Sequence, residues 1–60
     1  MKEKYYRIKG ANGKYYEGNM VDNKVVFDSS FDDAMVMDES EIETDFPNGL
    51  PKGAIKILDI

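Results

Sequence analysis

The 60-residue chain has no cysteine and no histidine. Without cysteine there is no disulfide framework, no thiolate nucleophile and no zinc site of the Cys/His kind. Without histidine the commonest general base near neutral pH is missing, so Ser29, Ser30, Ser40 and Thr44 have no such partner to activate them. No apolar run approaches the ~18 residues of a membrane span, and none follows Met1 in the manner of a signal peptide. Glycine-rich phosphate loops are also missing: Gly10-x-x-Gly13 lies between two strand-like runs and reads as a turn. These absences lead us to expect a single small domain over residues 1–60 that is cytoplasmic, non-enzymatic and without a cofactor. A domain of this size buries only roughly 60% of its unfolded surface, and here no disulfide makes up the shortfall.

What the chain does have is charge, divided unevenly. Its net charge is −4, but residues 1–27 carry six bases against three acids, and residues 28–60 carry nine acids against two bases. Asymmetry of this kind points to electrostatic recognition, or to two halves that neutralise each other within one fold.

The organising stretch is Lys4 to Phe27, which reads as two successive β-hairpins. The first turn offers two loops one residue apart, and a one-residue slip would exchange the two faces of the sheet. A two-residue Asn12-Gly13 loop sets Ile8 against Glu17. A three-residue Ala11-Asn12-Gly13 loop, with Gly13 left-handed, sets Ile8 against Tyr16 and Arg7 against Glu17. We take the second. It places Tyr6, Ile8, Tyr16 and Met20 on one face and Tyr5, Arg7, Lys9, Tyr15, Glu17 and Asn19 on the other. Asp22-Asn23 then forms a two-residue turn pairing Met20 with Val25 and Gly18 with Phe27.

Residues 29–46 are ambiguous. One reading is a helical turn at 31–36 capped by Ser30, then a short helix opening at Asp38. There Asp38-x-x-Glu41 has the spacing of a capping box, and Pro47 with Asn48-Gly49 provides the stop. The rival reading is a strand over 34–43. The closing segment 54–60 is a strand in both. The expected fold is therefore a small α+β protein, a three-stranded antiparallel meander plus a C-terminal strand, with one short acidic helical segment. The alternative is an all-β small barrel of the SH3-like or Sm-like kind. The predicted core is Tyr6, Ile8, Tyr16, Met20, Val25, Phe27, Phe31, Met35, Ile42, Phe46, Ile55 and Ile57.

Two surfaces emerge as candidates for function. Asp32, Asp33, Asp38, Glu39, Glu41, Glu43 and Asp45 form an acidic run, and carboxylates spread over a compact surface imitate nucleic-acid phosphates toward a basic site on another protein. The plain counterpart is that they are helix caps and a solvated face. Asp28 and several of these acids would suit Ca²⁺ or Mg²⁺, but the spacing of an EF-hand loop is absent, and no metal is expected. The second surface is the sheet face with Tyr5, Arg7, Lys9 and Tyr15, where aromatics between bases would stack single-stranded nucleic acid. Its plain counterpart is ordinary cross-strand packing, and the acidic balance opposes this reading. An open sheet edge would accept a partner's strand, or a second copy of the chain.

The aromatic-lysine hairpin, short third strand, acidic helix and closing strand resemble small accessory proteins of bacteriophages and mobile elements. That resemblance reaches no named family and brings no functional residues with it. From the charge pattern we expect a small non-enzymatic interaction protein, an inhibitor of the phage or mobile-element kind that binds a host protein through the acidic run, with single-stranded nucleic-acid binding by the sheet face as the alternative.

Overall fold

The computed structural model describes residues 4–59. Four strands and one helix follow in the order β1 (Tyr6–Lys9), β2 (Tyr15–Val21), β3 (Lys24–Ser29), α1 (Glu39–Asp45) and β4 (Ile55–Leu58). The strands make one antiparallel sheet of order β3-β2-β1-β4, which among the described residues does not close on itself. The fold is thus a small α+β arrangement, and the barrel is not formed. Residue 60, the end of the expected last strand, lies outside the described residues.

Both turns form through the chemistry of their own residues. Lys9 pairs with Tyr15, and the Gly10 N–H donates to the Lys14 carbonyl at 2.8 Å around the Ala11-Asn12-Gly13 loop. Gly13 sits at φ +84°, a conformation that costs glycine nothing. Asp22 and Asn23 take φ of 53° and 63°, the left-handed pair required by a two-residue turn that matches strand twist. Met20 pairs with Val25 as expected, but Phe27 pairs with Tyr16 rather than Gly18. The difference is a bulge between Tyr16 and Met20, and Gly18 lies in it at φ +104°.

Beyond Lys9 and Tyr15 the first hairpin does not zip up. The segment Met35–Met37 enters between β1 and β2 instead. Tyr6 and Met37 exchange backbone hydrogen bonds at 2.8 and 2.9 Å, and the Met35 N–H donates to the Tyr16 carbonyl at 3.0 Å. Arg7 is therefore not paired with Glu17; its partner, on the other side of β1, is Ile57 of β4. Around Phe31 there is a hydrogen-bonded turn but no helix, closed by Asp33 N–H to the Ser30 carbonyl and Ala34 N–H to the Phe31 carbonyl. Extended backbone at 35–37 satisfies the edges of two strands, which a helix there would leave unpaired.

The helix begins where the capping box places it. The Asp38 carboxylate accepts from the Glu41 N–H at 2.8 Å, and the Glu41 carboxylate accepts from the Asp38 N–H at 3.0 Å. Its apolar side lays Ile42 and Phe46 against Ile8, Tyr16 and Met37, and these five make the buried core. Tyr6, Val25, Phe27, Met35 and Leu50 pack around them.

Four core assignments need correction. Met20 is exposed because the outer half of the β2–β3 hairpin, Glu17 to Lys24, stands clear of the core. Phe31 lies on the opposite face of the sheet. Ile55 and Ile57 sit across from Lys9 and Arg7, so they too point away from the helix, Ile55 exposed and Ile57 half-buried. Met37, missing from the expected core, is fully buried.

Candidate interaction surfaces

The acidic residues divide by the tasks they already have. Asp38 and Glu41 close the capping box. Asp33 accepts from the Ser30 hydroxyl at 3.2 Å. Asp45, at the end of α1, accepts from the Tyr16 hydroxyl at 2.7 Å. Burial, reinforced by that carboxylate, pushes the Tyr16 phenol up to about 12.

Glu39 is the centre of a small triad. The Lys56 ammonium lies 2.7 Å from Glu39 Oε1 and 4.6 Å from the centre of the Tyr6 ring. Hydrogen bonds from Lys56 and then from the Tyr6 hydroxyl hold the Glu39 carboxyl below its ordinary range. The same contacts raise Lys56 and Tyr6, each chiefly through its hydrogen bond to Glu39. Register sets this up: Lys56 is opposite Ile8, on the helix side of the sheet, directly under the first turn of α1.

Among the described residues, Asp32 and Glu43 alone of the seven have no hydrogen-bond or ion-pair partner, and both are exposed. Glu39, Glu41 and Glu43 all face solvent, while Ile42 of the same helix faces the core. The helix end of the molecule thus presents carboxylates whose backbone is fixed by the cap. Among the described residues no group of three or more acidic side chains is gathered to hold a metal ion.

The other face of the sheet is occupied by a contact that sequence patterning missed. The Arg7 guanidinium lies 4.4 Å from the Phe31 ring centre and donates from Nη1 to the Phe31 carbonyl at 2.6 Å. Its Nε donates to Asp59 Oδ1 at 3.0 Å. Phe31 also meets Tyr15 edge-on, with centroids 5.4 Å apart. Of the four residues proposed for stacking, Arg7 and Tyr15 are therefore brought together, with Phe31 seated on both. Lys9 is beside Tyr15 on the same face, and Tyr5 is half-buried just before β1, its carbonyl accepting from the Asp59 N–H at 2.7 Å. A phenylalanine set between two serines and two aspartates could have signalled this role, because nothing in 29–33 gives it an apolar stripe to join.

Compared with known proteins, the chain matches no family model, no curated protein and no solved structure.

Proposed function

We propose that the chain is a non-enzymatic protein-interaction module of the inhibitor kind. It sets the solvent side of α1 and the acidic turn before it against a basic, nucleic-acid-binding site on a partner. The observation that carries this reading is the division of labour along α1. Ile42 and Phe46 hold the helix to the sheet, while Glu39, Glu41 and Glu43 stay exposed on a backbone fixed by the capping box. A pre-ordered row of carboxylates loses little conformational freedom on binding, which favours affinity without new contacts. The outer sheet face contributes less free positive charge, because Arg7 is already paired with Asp59 and Phe31.

The test is capture of a nucleic-acid-binding protein from a bacterial lysate by the immobilised chain, followed by a salt wash. Salt should release the partner, as it does for contacts that mimic phosphate. The charge-removing variant D32N/E41Q/E43Q keeps the fold, since glutamine serves at the third helical position of a capping box. It should weaken capture. A partner held equally by this variant would defeat the proposal.

A second reading rests on the Phe31 contact. A flat ring already sits against Arg7 and Tyr15, where a nucleobase would stack. Single-stranded nucleic acid would have to displace Phe31 and the turn at 30–34 to reach that seat.

A further inference from the structure

Asparagine followed by glycine carries a chemistry of its own. Glycine has no Cβ, so nothing shields its backbone nitrogen from the asparagine Cγ just before it. The chain has two such pairs, Asn12-Gly13 and Asn48-Gly49. Asn19 and Asn23 precede Met20 and Lys24, whose side chains crowd the same approach. By sequence the two glycine pairs are equivalent. The fold makes them unequal.

Asn12 is held at the atoms the reaction would move. Its Nδ2 donates to the Phe27 carbonyl of β3 at 3.0 Å, and its Oδ1 accepts from the Lys14 N–H at 2.9 Å. The Gly13 N–H donates to the Gly10 carbonyl at 3.0 Å. Cγ can swing onto the Gly13 nitrogen only if the carboxamide leaves both partners, one of which ties the loop to the sheet.

Asn48 has no such hold. Its exposed side chain has no hydrogen-bond partner among the described residues. The Gly49 N–H donates to the Phe46 carbonyl at 3.0 Å, closing the exposed turn through which the chain leaves α1. Both glycines have open space around them, with nothing within 4 Å of where a Cβ would stand, so access does not separate the pairs. Anchorage does. An exposed turn beyond a helix end opens locally at lower free energy than a loop bonded to a strand.

We infer that Asn48-Gly49 is a self-modification site, at which the folded chain converts Asn48 to aspartate and isoaspartate without an enzyme. When the turn opens, the Gly49 nitrogen bonds to Asn48 Cγ and gives its proton to hydroxide or buffer base. The Cγ–Nδ2 bond breaks, and Nδ2 leaves as ammonia. Water then opens the succinimide ring. Cleavage between Cγ and the Gly49 nitrogen gives aspartate, and cleavage at the Asn48 backbone carbonyl gives isoaspartate. Nothing is oxidised or reduced: amide and water become carboxylate and ammonium.

Either product sets a carboxylate just past the C-terminal end of α1, where the helix dipole disfavours it and no base sits in the last turn. Isoaspartate also lengthens the backbone by a methylene between Phe46, in the core, and Leu50, packed against it. The modified chain is thus more acidic and held less firmly at the helix end.

The test incubates the full chain at mildly alkaline pH, folded and in parallel in concentrated urea. Peptide mapping by mass spectrometry follows each asparagine. In the folded chain Asn48 should convert about tenfold faster than Asn12, and in urea the two rates should come together. The variant N48S should lose the more acidic species that ion-exchange chromatography resolves as the parent ages.

Asn12 keeping pace with Asn48 in the folded chain would overturn the inference. So would a folded chain in which neither reacts while both do in urea, or an acidic species that persists in N48S. A preference for Asn48 as large in urea as in the fold would place the selectivity in the neighbouring residues, and would overturn it too.

Discussion

Tyr16 donates its hydroxyl to Asp45 Oδ2 at 2.7 Å, tying the middle of the sheet to the last residue of the only helix among the described residues. The ring itself is 1% exposed and packs edge-on against Phe46 at 5.1 Å. One side chain therefore joins the core, the helix and the acidic surface.

Burial of that phenol, reinforced by the bond to Asp45, makes stability depend on pH in the alkaline range. The Tyr16 phenol is pushed up to about 12, against 10.0 for an unperturbed tyrosine. Between these values the native state keeps a proton that the unfolded chain has released. The stabilisation is complete below pH 10 and declines as pH rises to about 12, with a slope approaching 1.4 kcal/mol per pH unit. Denaturant midpoints across this range should show the extra slope in the parent and lose it in Tyr16→Phe. At neutral pH that variant should cost roughly 1–3 kcal/mol, the usual effect of removing a hydrogen bond to a charged group. Equal slopes in the two proteins would rule out Tyr16 as the source.

The capping box should be measurable alone. Asp38→Ala removes the acceptor for the Glu41 N–H and should lower stability by about 1 kcal/mol, while Asp38→Asn should recover most of it. Thermal unfolding followed by circular dichroism distinguishes them. Indistinguishable alanine and asparagine variants would mean the helix is held by Ile42 and Phe46 alone.

Gly10 is needed for space. A Cβ there would lie 2.4 Å from Phe27 Cγ, too close for any real contact. Gly10→Ala should destabilise by about 1–3 kcal/mol through this overlap. In a double-mutant cycle with Phe27→Ala the two losses should be less than additive, because alanine removes Cγ and Cδ2, the two closest of the clashing atoms. Additive losses would locate the cost in the backbone.

Phe31 covers the face on which the nucleic-acid reading depends. Phe31→Ala should cost little stability, as the ring is 44% exposed. It should leave Arg7 and Tyr15 open on one side. Fluorescence anisotropy with a short oligothymidine then separates the two readings. Binding that appears only in the variant would identify Phe31 as occupying a base-stacking seat. Absence of binding in both proteins, at low salt, would remove nucleic acid as a ligand of this face.

Local chemistry was legible in the sequence and distant register was not. Ala11-Asn12-Gly13, Asp22-Asn23 and the Asp38–Glu41 box each decide their conformation within a few residues, and all three form as expected. The faces of β4 could not be read this way. IKIL is apolar on both sides, and whether Lys56 or Ile57 meets the helix depends on pairing with β1, at the other end of the chain. Met37 was hidden for a similar reason. Nothing in the methionine pattern at 35 and 37 reveals that this segment will separate the strands of the first hairpin. Within the acidic run Asp32, Asp33, Glu39, Glu41 and Glu43 are exposed, but the bonds of Asp45 to Tyr16 and of Glu39 to Lys56 could not be read, because they need partners from other elements.

The insertion of Met35–Met37 between β1 and β2 also constrains the order of events in folding. A hairpin normally zips from its loop, but here zipping is interrupted after one pair until a segment beyond the next hairpin arrives. The β2–β3 ribbon can form early, through its own turn; the sheet cannot close until Tyr6 meets Met37. Met37→Ala should therefore slow refolding as well as lower stability, whereas substitutions at the Asp22-Asn23 turn, whose contacts are local, should divide their effect differently between the two limbs of a chevron plot. A Met37→Ala variant that changes only the unfolding limb would place this insertion after the rate-limiting barrier.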